Sequence, residues 1–175
     1  MKTIDPIQTP KNSDDPAAVR PQVSLRPMVH EDLAQVTAID RHWFPVPWKQ
    51  DQFEGEMAKP YALAWVLTDD ETDSLVYGYV VCHVIDEQAD LLTIAVSPNA
   101  TGFGFGTLLI TQAIRNAGKN GAKLMNLEVR RSNQVALKFY HRFGFQVLHV
   151  RKSFYANGED ALILRKTLES VDSKH

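Results

Sequence analysis

The stretch "LLTIAVSPNATGFGFGTLLI", Leu91 to Ile110, decides how the chain is to be read. Its first half belongs to a β-branched, apolar run, "ADLLTIAVS", which reads as a strand closed by Pro98. Gly102, Gly104 and Gly106 then alternate with Phe103 and Phe105. They run into a helix whose apolar stripe is Ile110, Ala113, Ile114 and Ala117, with Gly118 and Gly121 marking its end. A glycine loop between a strand and a helix N-terminus is a ready anion site, because N–H groups converge there and glycine admits positive φ. This loop holds no lysine or arginine, but a helix end carries about half a positive charge by itself. On these residues alone a phosphate cradle and a tight turn are equal readings.

Outward from that stretch, strands and helices alternate. "VSLRPM" reads as a first strand, "HEDLAQVTAIDRHWF" as a helix with Leu33, Val36, Ile39 and Trp43 on one side, and "WKQDQFEGEMA" as a second. Pro45 and Pro47 in "FPVPW" separate the two helices. "YALAWVLT" and "LVYGYVVCHVI" are strands joined by "DDETDS". "KLMNLEVRR" is a fifth strand, and "SNQVALKFYHRF" a helix that Ser132 is placed to cap and Gly144 to end. "FQVLHVRKSFY" and "DALILRKTL" finish as two strands around Asn157-Gly158. The pattern predicts an α/β (α+β) layer fold with a mixed sheet of about seven strands and four helices. The expected organisation is an N-terminal tail over 1–22, one domain over 23–168 and a C-terminal tail over 169–175. The first of these carries four prolines and no periodicity.

Composition removes several classes. A net charge of -2 gives no general reason to bind nucleic acid or an anionic membrane, and no apolar segment reaches the length of a span. A cytoplasmic location is expected, with a monomer or weak dimer. The one cysteine, Cys82, lies in an apolar strand and reads as a buried core residue, not a thiol nucleophile. One cysteine and six scattered histidines make no zinc pattern, so no metal is expected. His42 and His83 read as structural or exposed.

Strand parity places Met125, Leu127 and Val129 on one face and Asn126, Glu128 and Arg130 on the other. Glu128 is either a solvated glutamate or a general base tuned by partial desolvation. Tyr140, on the stripe Ala136, Phe139, Tyr140, Phe143, is either core or a proton donor. Asn133 is a polar residue at the start of that helix.

Taken together, "LLTIAVSPNATGFGFGTLLI", "LEVRRSN" and "ALKFYHRFGF" resemble the GNAT N-acetyltransferase family, closest to its bacterial ribosomal-protein-alanine branch. The resemblance spans about Val23 to Leu168 and is strongest from Leu91 to Gly144. It implies acetyl-CoA as co-substrate, with the strand Ile94, Ala95, Val96 pairing with the pantetheine arm. Gly102, Phe103, Gly104, Phe105, Gly106 and Thr107 would cradle the pyrophosphate, and Asn133 would contact the cofactor near its thioester. Glu128 would be the general base and Tyr140 the general acid. The acceptor it implies is a protein N-terminal amine, the alanine of the basic small-subunit ribosomal protein eighteen. Asp51, Glu54 and Glu56 would then stand on the acceptor side and "FPVPW" at its entrance. The family loop usually begins with arginine or glutamine where this chain has Thr101, a departure that bears on cofactor affinity.

Two other functions fit the same fold: a small-molecule amine acetyltransferase and a non-catalytic acyl-CoA-binding module. Thiol release from acetyl-CoA with an alanine-starting basic peptide separates all three.

Overall fold

The computed structural model describes residues 19–168. Most of the expected N-terminal tail and all of the C-terminal one lie outside them. Seven strands form one sheet: β1 (Val23–Pro27), β2 (Ala62–Asp69), β3 (Val76–Ile85), β4 (Gln88–Val96), β5 (Leu124–Arg130), β6 (Gln146–Arg151) and β7 (Ala161–Thr167). Their order is β1-β2-β3-β4-β5-β7-β6. β4 and β5 pair in parallel, and the other neighbours are antiparallel. Among the described residues the α-helices are α1 (Leu33–Trp43), α2 (Gln50–Met57), α3 (Phe105–Lys119) and α4 (Gln134–Arg142).

Both faces of the sheet are covered, which is why "YVVC" is apolar at every position rather than at alternate ones. Val80 and Cys82 pack with the α3 and α4 side chains Leu109, Ile110, Ala113 and Phe139. Tyr79 and Val81 face the other way, into a second core with Leu33, Val36 and Ile39 of α1 and Phe53 of α2. β5 obeys the same parity: Met125, Leu127 and Val129 enter the α3/α4 core.

Two differences from the sequence reading bear on the site. Asn133, not Ser132, caps α4: its side chain accepts the Ala136 N–H at 2.9 Å. β6 stops at Arg151, four residues before the expected end at Tyr155. Ser153 takes φ 50°, a left-handed turn that a strand cannot continue through. Residues 152–160 therefore form a long loop over the sheet, and Tyr155 sits in it.

Candidate active site

The site begins where β4 and β5 part. Their register runs Gln88↔Leu124, Ala89↔Met125, Asp90↔Asn126 and goes no further, although β4 continues to Val96 and β5 to Arg130. The open edge of β4 can be assigned residue by residue. Ser97 N–H donates to the Tyr77 carbonyl at 2.7 Å, so two residues back Ala95 is the hydrogen-bonded partner of Tyr79. Ala95 thus spends its backbone groups on β3, while those of Ile94 and Val96 point into the opening. This corrects the expectation for Ala95, which cannot offer the same edge as its two neighbours. The Val96 carbonyl receives the Trp43 indole N–H at 2.7 Å.

The glycine loop closes one end of this opening. Gly102 and Gly104 take φ 89° and 78°, a region that strains any side chain with a Cβ. Gly104 is the N-cap of α3. Bonding inside the helix starts with Thr107 and Leu108, whose N–H groups reach the Gly104 carbonyl at 3.1 and 3.4 Å. Those of Phe105 and Gly106 precede it at the N-terminus. The two phenylalanines of the loop lie against each other. Phe105 is buried against Tyr77 and Phe103, with ring centroids 5.5 and 5.7 Å away, and it anchors the loop to the core.

Glu128 has no exposed surface, so the solvated alternative fails. A buried carboxylate is costly unless partners compensate its charge. Here the Tyr155 hydroxyl donates to Oε1 at 3.1 Å, and the Arg151 guanidinium stands 3.5 Å from Oε2. Both come from the far end of β6 and the loop after it. Tyr140 is also fully buried, with Phe139 and Phe145 edge-on at 5.2 and 5.7 Å. Phe139 lies within van der Waals reach of a Cβ built on Gly106, so α4 is packed against the start of α3. Cys82 is buried and its thiol is pushed up to about 12 by desolvation, which leaves no thiolate at neutral pH.

On the face of the sheet away from α3 and α4, the face that carries Arg130 and Tyr155, a cleft of about 690 Å³ opens. All five residues of "FPVPW", Phe44 to Trp48, line it together with Glu56, His83, Asp90, Arg130 and Tyr155. Of the three acidic residues expected on this side, only Glu56 is there. Asp51 accepts the N–H of its neighbour Gln52 at the start of α2, and Glu54 faces His30 at 3.4 Å. Burial would raise the Glu56 carboxyl, but hydrogen bonds from Lys59 and His83 outweigh it and hold it below the usual carboxylate range. His83, expected to be structural or exposed, is thus a cleft residue paired with Glu56 at 2.5 Å.

The entrance loop is held from beneath by Asp40, fully buried in α1. Its carboxylate accepts the Trp48 N–H at 2.6 Å and the Tyr79 hydroxyl. Tyr79 in turn lies 3.1 Å from the Thr93 hydroxyl on β4. Burial first, and then the Asp40 charge, push the Tyr79 phenol well above its ordinary value. Asp40 shares the buried side of α1 with Val36, four residues before it, a signal that was present in the spacing.

A sheet split between two parallel strands, with a glycine loop at the mouth of the split, defines an acyltransferase fold. The chain belongs to the acetyltransferase (GNAT) family, whose model matches residues 33–145, and it is an acetyl-CoA-dependent N-acetyltransferase. A Bacillus subtilis protein provisionally named ribosomal protein bS18-alanine N-acetyltransferase is 34% identical over 152 residues, covering 86% of this chain and 99% of that protein. The crystal structure of the ribosomal-protein-S18-alanine N-acetyltransferase from Escherichia coli superposes with a TM-score of 0.76 at 25% identity, over 88% of this chain and 99% of that one. Arabidopsis thaliana NAA60 in complex with acetyl-CoA shares the fold at a TM-score of 0.74 and 18% identity, over 84% and 99% of the two chains.

Proposed function

We propose that this enzyme moves the acetyl group of acetyl-CoA to a protein N-terminal α-amine, and that its acceptor is the N-terminal alanine of ribosomal protein bS18. The names of the Bacillus and Escherichia relatives support the acceptor. An acceptor of this kind puts the reaction in the cytoplasm. The backbone groups of Ile94 and Val96 fit an amide-bearing pantetheine arm laid along β4. The α3 N-terminus with Gly102 to Thr107 fits the pyrophosphate that follows it, and in this reading Asn133, at the start of α4, addresses the thioester end. When bound, acetyl-CoA supplies an activated acyl carbon.

The amine must be neutral to attack. An α-amine with pKa near 8 needs about 3 kcal/mol less deprotonation work at pH 7 than a lysine near 10.4. A positioned carboxylate suffices for the former. In this reading Glu128 takes the amine proton as the new C–N bond forms, and Tyr140 gives its hydroxyl proton to the departing thiolate. The observation that carries it is the burial of Glu128 at the parting of β4 and β5, with a hydrogen bond from Tyr155 on the acceptor side. The test is mass spectrometry of a peptide with the bS18 N-terminus and of the same peptide blocked at its α-amine. Acetyl transfer to the free α-amine alone supports the proposal; transfer to internal lysines contradicts it.

A further inference from the structure

The loop between β6 and β7 makes a set of contacts with the floor of the cleft that neither cofactor nor proton transfer accounts for. Tyr155 is fixed on three sides. Its hydroxyl donates to Glu128 Oε1 at 3.1 Å. Its ring lies 3.7 Å from the guanidinium carbon of Arg130, a stacked cation–π contact. Its own N–H is held by the Glu159 carbonyl at 3.1 Å.

Arg130 is fixed in turn. Its guanidinium meets the Glu159 carboxylate at 3.4 Å, and that carboxylate also accepts the Ser132 N–H at 2.8 Å. Hydrogen bonds from Ser132 hold the Glu159 carboxyl below its ordinary range, so the anchor is charged at neutral pH. The chain of contacts runs from the residues before α4, through Glu159 and Arg130, to Tyr155 and ends on one oxygen of Glu128.

We propose that Tyr155 is the positioning residue for the base: it fixes the rotamer of the Glu128 carboxylate, with Arg151 supplying the compensating charge. The inference rests on the reading of Glu128 as the base. A proton acceptor works only while ionised and within hydrogen-bond reach of the amine, and misplacement by about 1 Å costs on the order of 10²-fold in rate. A hydroxyl on one oxygen and a guanidinium beside the other meet both needs around a carboxylate that has no exposed surface. The loop thereby couples the acceptor cleft, which Tyr155 lines, to the group that deprotonates the acceptor.

The test is a double-mutant cycle of Tyr155→Phe with Glu128→Gln, read as kcat and peptide KM, beside calorimetric binding of acetyl-CoA. Phenylalanine keeps the ring under Arg130, so folding is preserved. Tyr155→Phe is expected to lower kcat by roughly tenfold, with peptide KM and acetyl-CoA affinity nearly unchanged. In the Glu128→Gln background it should cost nothing further, because its effect runs through the carboxylate. Arg151→Gln should lower kcat in the same direction, and Arg151→Lys should restore most of it. A raised KM at wild-type kcat would show Tyr155 to be a peptide contact instead. Independent, multiplying losses would show a separate role; either result overturns the inference. Wild-type kcat in Glu128→Gln alone would overturn the base reading first, and the positioning role with it.

Discussion

Asp90 and Asn126 form the last rung between β4 and β5: they are paired in register, and the Asn126 amide donates to the Asp90 carboxylate at 3.1 Å. Arg165 on β7 donates to the Asn126 side-chain oxygen Oδ1 at 2.7 Å, so the rung is braced from the far side as well. Past it the strands separate, and two residues further along β5 stands Glu128. A polar clamp at the vertex thus decides where the sheet splits and how deep the base lies. Asn126→Leu should let the pairing slip or extend, and the loss should show as a lower Tm together with weaker acetyl-CoA binding.

The glycine loop predicts opposite effects at neighbouring positions. Thr101 has φ -71° and ψ 151°, values that any residue adopts, so Thr101→Arg adds a cation without strain. It should tighten acetyl-CoA binding by up to roughly tenfold, more at low salt than at high. Arginine at Gly102 is the wrong choice, because its φ of 89° belongs to glycine. Gly104→Val meets no neighbouring atom, but its φ of 78° should cost roughly 1–2 kcal/mol and displace the helix start. Titration calorimetry checks each affinity, and thermal melts the stability.

Asp40 is the keystone under the acceptor entrance. Asp40→Ala removes the acceptor of both the Trp48 N–H and the Tyr79 hydroxyl, and should destabilise the fold by about 2–4 kcal/mol. Peptide KM should rise more than the KM for acetyl-CoA, since the loop it holds lines the peptide side. Denaturant unfolding and steady-state kinetics measure the two effects.

Cys82 gives a pH signature. Its thiol rises from an ordinary 9.0 to about 12 in the folded chain, so the folded state keeps its proton longer than the unfolded one. The stability this lends is present below pH 9 and is lost as pH rises from there towards 12. Cys82→Ala should flatten that part of the alkaline stability curve. In the wild type, thiol-reactive dyes at pH 8 should label the protein only after denaturation.

Tyr140→Phe separates packing from chemistry. The ring contacts with Phe139 and Phe145 survive, so Tm should barely move. As the general acid it should lose roughly 10²-fold in kcat. A large drop in Tm at normal specific activity would make Tyr140 a core residue and nothing more.

The layer order was legible because apolar period and glycine punctuation are local signals. "ADLLTIAVS", the loop glycines and the α3 stripe all fall where the sequence puts them. Glu128 and Tyr140 were legible as candidates through the family resemblance, although parity alone left Glu128 on a face that looked solvated. What escaped was set by tertiary contact. Tyr155 read as the end of an alternating strand, since alternation along an exposed edge strand carries no mark for the left-handed turn at Ser153. Asp40 was not singled out at all, because its partners Trp48 and Tyr79 lie 8 and 39 positions away. Ala95 was counted with its neighbours, because which edge a strand residue serves depends on its pairing register.

The central claim is that a buried carboxylate on β5 deprotonates the acceptor. The most direct measurement is kcat of Glu128→Gln at neutral pH on an alanine-starting bS18 peptide, with acetyl-CoA affinity determined on the same preparation. The account predicts a loss of about 10²-fold in kcat at unchanged cofactor affinity. A folded variant that turns over at the wild-type rate would contradict it.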